Sequence, residues 1–227
     1  MGDAVVILVA AGRGERLGLE VPKAFAWVAG RPLIVHAAVS AFECPEVGSV
    51  IVAVPPGSEE EARRALESFG PCDVVVGGET RQASVRAALG SGAASSEILV
   101  CHDAARPFAS PALFGAVIGA VAGADGAVPV LPFIDTVKRV RDGFVTGTES
   151  RDELVVVQTP QAFRAEALRE SHARAEREGV ELTDDAGALE RAGYRVAAVP
   201  GEASNFKITT PEDLARAEAI ASELARG

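Results

Sequence analysis

Five consecutive apolar residues, Val5 to Val9, run directly into a glycine-rich loop carrying three cations, and no other stretch constrains the possible folds so strongly. Residues 5–25 read VVILVAAGRGERLGLEVPKAF. A mostly β-branched run with no polar alternation fits a strand buried on both faces, which places it in the middle of a parallel sheet. Gly12, Gly14 and Gly18 let the backbone turn sharply and leave bare amide N–H groups open to a ligand. Arg13, Arg16 and Lys23 add positive charge, and Pro22 fixes φ just before Lys23. The loop therefore reads as a phosphate site, with an ordinary strand-to-helix turn and solvated arginines as the plainer alternative. A dinucleotide turn fits poorly. The spacing is G-x-G-x-x-x-G, and the next strand candidate, Val50 to Val54, meets Pro55 and Pro56 where a ribose-binding acid would stand.

Downstream, apolar runs alternate with helical patterns. Arg31-Pro32 opens a helical pattern with Leu33, Ile34, Ala37, Ala38 and Ala41 on one side, ending near Pro45, before the strand at 50–54. Ser58 with Glu61 forms a capping-box pattern for a helix from about Glu59 to Phe69. A strand at Asp73 to Val76 leads to a second glycine turn, Gly77-Gly78, and a helix over Glu79 to Leu89 that carries Arg81, Ser84 and Arg86. The strand at Ile98 to Cys101 ends in His102-Asp103-Ala104-Ala105-Arg106-Pro107-Phe108. Ser110-Pro111 supplies an N-cap and first residue for a helix reaching about Ala122, and Ala127 to Val130 is a further strand. This rhythm predicts an α/β fold of three layers around a mostly parallel, twisted sheet.

The rhythm breaks between about Pro132 and Val155. There Thr136-Val137-Lys138-Arg139-Val140 alternates and turns at Asp142-Gly143, which predicts a projecting β-arm; a solvated charged loop is the plainer reading. Leu154 to Val157 then returns to the sheet and is closed by Pro160. A helix spans about Ala165 to Glu178, and Thr183 caps a short helix ending near Gly193. Val196 to Val199 is a strand and Phe206 to Thr209 a short extended piece. Thr210-Pro211 starts the last helix. With no repeats or low-complexity linker, residues 1–227 read as one domain with 132–155 as its arm.

Charge narrows the partners. The formal net charge is −10, which argues against a nucleic-acid or anionic-membrane surface, so any polyanion must be bound where the few cations gather. The chain uses nineteen arginines but only three lysines, Lys23, Lys138 and Lys207. A lysine kept against that bias suits a place needing a compact point charge. Three cysteines, Cys44, Cys72 and Cys101, show no C-x-x-C spacing and read as buried residues of a reducing compartment. No leader pattern or apolar run of membrane-spanning length is present, so the expected location is cytoplasmic.

Ligands of open parallel sheets bind outside the carboxyl ends of strands beside the topological switch, and the polar groups obey that rule. Residues 12–23, 78–84, Asp103 with Arg106, and Lys207 all follow strands. Converging cations, glycine loops and a carboxylate describe a nucleoside triphosphate with Mg²⁺ or another divalent cation, Asp103 being the right ligand type for a hard ion. His102 and Asp103 are adjacent on a strand and point to opposite faces, so His102 reads as structural. Cys101 beside it lacks further ligands at zinc spacing.

The ordered blocks AAGRGERLG and PK, GGETRQASV, HDAARPF, DTVKR, SRDEL, QTPQAF, TDDAGALE and NFKITTPEDL resemble the 2-C-methyl-D-erythritol 4-phosphate cytidylyltransferase family over most of the chain. Ala24-Phe25 departs from the family's usual glutamine and aromatic, a difference that bears on loop packing. The resemblance implies a Rossmann-like fold of the nucleotide-diphospho-sugar transferase type, a homodimer clasped by the arm, and CMP transfer from CTP to a sugar-alcohol phosphate. It implies that Arg16, Lys23, Arg151 and Lys207 are catalytic, with Arg16 and Lys23 neutralising the triphosphate. Ala10, Ala11, Gly12, Gly78, Glu79, Ser84 and Ala104 would line the nucleotide pocket. Asp103 and Arg106 would hold Mg²⁺, ribose or the second substrate, with Asp103 the metal ligand. Thr136 and Arg151, reaching from a partner's arm, would join Thr159, Thr183 and Lys207 around the acceptor. A ribitol 5-phosphate cytidylyltransferase and a non-catalytic CTP-binding regulatory module are the rival expectations.

Overall fold

In the computed structural model, which describes residues 2–12, 14–18 and 21–224, the apolar run is β1 (Ala4–Val9). The glycine loop then makes two single turns of 3-10 helix. A short antiparallel pair, β2 (Trp27–Val28) and β3 (Arg31–Pro32), leads into α1 (Leu33–Phe42). The alternation continues through β4 (Val47–Val54), α2 (Glu59–Leu66), β5 (Cys72–Val76), α3 (Arg81–Leu89), β6 (Ile98–Asp103) and α4 (Pro111–Ala120). β7 (Gly126–Pro132) precedes the hairpin of β8 (Lys138–Arg141) and β9 (Phe144–Thr148), then β10 (Val155–Val157) and β11 (Gln161–Arg164). Last come α5 (Ala165–Arg177), α6 (Asp185–Ala192), β12 (Val196–Pro200) and α7 (Pro211–Leu224).

Hydrogen-bonded neighbours in the main sheet run β10, β7, β11, β6, β1, β4, β5, and β12 pairs with β7 as well. β1 is parallel to both its neighbours, β4 and β6, while β10 and β11 are antiparallel. The chain steps outward from β1 to β4 and β5, then returns to the other side of β1 at β6. That reversal is a topological switch, and it opens a crevice at the carboxyl ends of β1 and β6.

Side-chain alternation along β1 builds the two outer layers. Val6 and Leu8 pack with Ile34 of α1 and Phe114 and Val117 of α4, whereas Val5 and Ile7 pack with Val85 of α3, Leu168 of α5 and Leu189 of α6. Each fully buried aliphatic side chain of this kind contributes about 1.5–3 kcal/mol. A third apolar cluster joins Leu17, Ala26, Val28 and Leu33 to Ile208, Ala217 and Ala221, so α7 is docked beneath the first loop. The Ile208 N–H also donates to the Ala105 carbonyl at 2.9 Å, which carries Lys207 to the end of β6.

Three local expectations are corrected, and one strand is added. Ser58 makes no side-chain cap bond, with φ −100° and ψ 3°; Glu59, Glu60 and Glu61 instead place negative charge in the first turn of α2. Asp184 rather than Thr183 caps α6, its carboxylate accepting the Gly187 N–H at 3.0 Å. Residues 206–209 are irregular. β11 was not anticipated, because Gln161, Ala162 and Phe163 lack a strand-like pattern and owe their burial to insertion between β6 and β7. The hairpin forms as expected. Asp142 at φ 52° and Gly143 at φ 82° give the left-handed pair that a tight two-residue turn requires.

Candidate functional site

β1 delivers Ala10, Ala11 and Gly12 to the crevice, and the loop beyond them folds back on itself. Gly14 has φ +72°, and a Cβ there would lie 2.7 Å from the Lys23 Cβ, so only glycine lets the loop close against Lys23. The next two residues, Ala24 and Phe25, are buried and hold the turn that carries Lys23. On the facing side, a Cβ at Gly78 would meet Ala83 Cβ at 2.4 Å. The Gly78 N–H donates to Ser84 Oγ at 3.1 Å, and Ser84 in turn donates to the Thr80 carbonyl at 3.0 Å. Thr80 itself caps α3 through the Ala83 N–H at 3.0 Å.

Asp103 ends β6 and brings its carboxylate to the crevice. Arg81 Nε donates to its Oδ1 at 3.0 Å and Lys207 Nζ to its Oδ2 at 2.6 Å. Burial works against the ionised form, yet Arg81 and Lys207 outweigh it and hold Asp103 well below the usual carboxylate range. Lys23 is lowered to about 8, chiefly by burial and then by repulsion from Lys207, with Asp103 offsetting part of the shift. Burial also pushes His102 down to about 4, so it is neutral at pH 7. Its Nε2–H donates to the Arg106 carbonyl at 3.1 Å, which leaves Nδ1 to accept from Thr159 Oγ1 at 3.0 Å. His102 is a buried scaffold residue, as its place on the strand suggested.

A cavity of about 160 Å³ is lined by Ala10, Ala11, Gly12, Lys23, Gly78, Glu79, Ser84, Asp103, Ala104 and Lys207. A wider cleft of about 1070 Å³ shares Ala11, Gly12, Lys23, Gly78, Glu79 and Lys207 and adds Gly14 and the exposed Arg16. These twelve residues include Gly12, Gly14, Arg16, Lys23, Gly78, Glu79, Ser84 and Lys207 of the expected loops; Gly18 lines neither space, and Arg13 lies outside the described residues.

Other expected residues stand elsewhere. Arg106 Nη1 donates to the Asn205 carbonyl at 2.8 Å, and Thr159 Oγ1 accepts the Asp103 N–H at 3.1 Å, so both support the crevice from behind. Thr136 and Arg151 lie exposed on the arm, Arg151 donating to the Ile134 carbonyl at 2.6 Å, and Thr183 is exposed before α6. None of these five lines the cavity or the cleft. Conversely, Arg81, Thr80 and Ala105 do line it without having been assigned a role. Arg81 could have been suspected as one of the cations opening α3, but its partners Asp103 and Asp185 could not.

Glycine turns, cations and a carboxylate gathered at the switch point of a mostly parallel α/β sheet define a Rossmann-like protein with a site suited to a nucleotide's phosphates. A model of the family described as 2-C-methyl-D-erythritol 4-phosphate cytidylyltransferase (IspD) matches residues 4–223. The chain is 44% identical over 221 residues to a protein of that name from Deinococcus radiodurans, covering 97% of this chain and 90% of the relative. The crystal structure of the Thermus thermophilus protein of the same name superposes with TM-score 0.82 at 41% identity, covering 98% of this chain and 100% of that one. A 4-diphosphocytidyl-2C-methyl-D-erythritol synthase from Anaerococcus prevotii gives TM-score 0.86 at 30% identity over 97% and 99% of the two chains. The chain belongs to the 2-C-methyl-D-erythritol 4-phosphate cytidylyltransferase family.

Proposed function

We propose that this protein transfers CMP from CTP to 2-C-methyl-D-erythritol 4-phosphate, releasing pyrophosphate, in isoprenoid biosynthesis. The observation that carries the reading is that two of only three lysines, Lys23 and Lys207, line one cavity with the glycine turns and Asp103. An acceptor phosphate oxygen attacks the α-phosphorus in line; one P–O bond forms, the α–β bridging P–O bond breaks, and its electrons leave on pyrophosphate. An ionised phosphate needs no general base, and the neutral, backbone-bonded His102 is not placed to be one. Lys23, Lys207 and Arg16 supply fixed positive charge where negative charge builds, and the glycine turns align the nucleotide.

Among the described residues no three His, Cys, Asp or Glu side chains cluster as a metal cage. Mg²⁺ fits such a place when one carboxylate and substrate phosphates share it, and Asp103 is the carboxylate that would do so. A bound divalent cation would neutralise phosphate charge.

We also read the chain as one cytoplasmic domain that works as a homodimer through residues 132–155. Support comes from the arm's exposed apolar side chains, Ile134, Val140, Phe144 and Val145, which a second copy could cover while bringing Thr136 and Arg151 to the neighbouring crevice. The free thiols and the lack, among the described residues, of a helix long and apolar enough to cross a membrane accord with this reading.

Pyrophosphate release with CTP and Mg²⁺ tests the activity. Release is expected with methylerythritol phosphate and to vanish on chelation of the metal. Release only with ribitol 5-phosphate would move the protein to that acceptor. CTP binding without release for either acceptor would make it a regulatory module.

A further inference from the structure

Behind the crevice lie two buried polar side chains, Asp185 and His172, that the proposed chemistry does not use directly. Asp185, the first residue of α6, is fully buried and accepts from Arg81 Nη1 at 2.7 Å through Oδ2 and from His172 Nε2 at 2.9 Å through Oδ1. Arg81 reaches in the other direction to Asp103 Oδ1 at 3.0 Å, and Asp103 Oδ2 meets Lys207 at 2.6 Å. Neither His172 nor Asp185 lines the cavity.

Burying ions is costly, and an apolar cluster of similar volume commonly serves stability as well, so such a set calls for a role beyond packing. Its geometry supplies one. A guanidinium gripped by a single carboxylate can pivot about that contact, whereas one gripped at two different nitrogens by carboxylates on either side is fixed in orientation. Asp185 is in turn held in place. Asp184 caps α6 and accepts from Gln161 Nε2 of β11 at 3.0 Å, while His172 projects from α5 to the second oxygen of Asp185.

We propose that His172 and Asp185 are positioning residues: they lock Arg81, which locks the Asp103 carboxylate between Arg81 and Lys207 at the reacting end of the crevice. This inference rests on the nucleotidyl-transfer reading for its kinetic consequence but not for its geometry. Mispositioning a group at the reacting centre from a remote site lowers turnover more than ground-state binding.

The test compares His172→Leu, which removes the donor at similar volume, with His172→Gln, which retains an N–H. Asp185→Asn and Arg81→Gln accompany them, alone and combined with His172→Leu, and melting curves screen for folded variants. In His172→Leu, kcat is expected to fall about tenfold while KM for CTP changes less than about threefold. His172→Gln recovers most of the loss, and adding His172→Leu to Arg81→Gln lowers kcat less than about twofold further. Hydrogen exchange at the Arg81 Nε–H, followed by NMR without turnover, is expected to accelerate about tenfold in His172→Leu and Asp185→Asn and to stay slow in His172→Gln. Folded His172→Leu and Asp185→Asn proteins with kcat and Arg81 Nε–H exchange within twofold of the parent would overturn the proposal. So would losses that multiply in the double variant. If the parent released no pyrophosphate, the proposed function would fail while the exchange measurement still decided the relay.

Discussion

Lys23 sits where its charge is under tension. Burial and the neighbouring Lys207 lower it from 10.5 to about 8, against partial relief from Asp103. The protonated form is the one that can neutralise a triphosphate, so kcat/KM for CTP is expected to decline as pH rises through about 8. Saturating CTP, a polyanion that favours the charged lysine, should move that limb upward in kcat; a pH–rate series in both regimes checks this. Stability runs the opposite way. Between about pH 8 and 10.5 the unfolded chain holds this proton more firmly than the folded one, so the Lys23 contribution to stability rises with pH across that window. Replacing the group outright, Lys23→Ala or Arg16→Ala, should lower kcat about 10²–10³-fold with the fold intact, the usual loss for one preorganised electrostatic contact. Wild-type turnover in either purified variant would take that residue out of the mechanism. At this scale Lys23, Lys207 and Asp103 were legible, because rare lysines and a carboxylate stood after strands. Arg106 and Thr159, the latter expected from the resemblance alone, stand behind the crevice instead of lining it, and nothing local shows that a side chain turns back toward the scaffold.

Helix starts show how far short-range signals reach. Ser110 and Ser58 look alike in sequence, each preceding a helical pattern, yet only Ser110 accepts the N–H three residues on, at 3.1 Å, and its hydroxyl also donates to Glu202. Ser110→Ala is therefore expected to cost about 1–2 kcal/mol, a drop of a few degrees in Tm, whereas Ser58→Ala should stay within about 0.5 kcal/mol. Thermal melts of the two variants side by side decide it; equal losses would show that the cap at Ser110 contributes nothing particular. The same contrast explains what was readable among the elements. β1 and the arm turn follow from an apolar run and an Asp-Gly pair acting within a few residues. β11 has no such signature and exists because β6 and β7 offer it edges on both sides.

In the whole molecule, Thr136 and Arg151 of the arm are exposed and line neither the cavity nor the cleft of their own chain. If the arm completes a neighbour's site, an inactive Lys23→Ala chain mixed with an inactive Arg151→Ala chain should regain one working site per mixed dimer, about half of the parent's turnover per dimer. Verified mixed dimers with no recovered pyrophosphate release would refute the arm's role in trans. By itself the sequence determined what nearest neighbours control: strands buried on both faces, glycine turns that admit a ligand, the hairpin turn and the cations available for a polyanion. Its ordered motifs also determined the family, because they run through most of the chain. The tertiary structure decided which of those groups meet. Asp103 finds Lys207 and Arg81 finds Asp185 across 104 residues in each case. Such pairings depend on the strand order around β1 and on apolar packing that seats α6 and α7, and neither periodicity nor spacing within a short window encodes them.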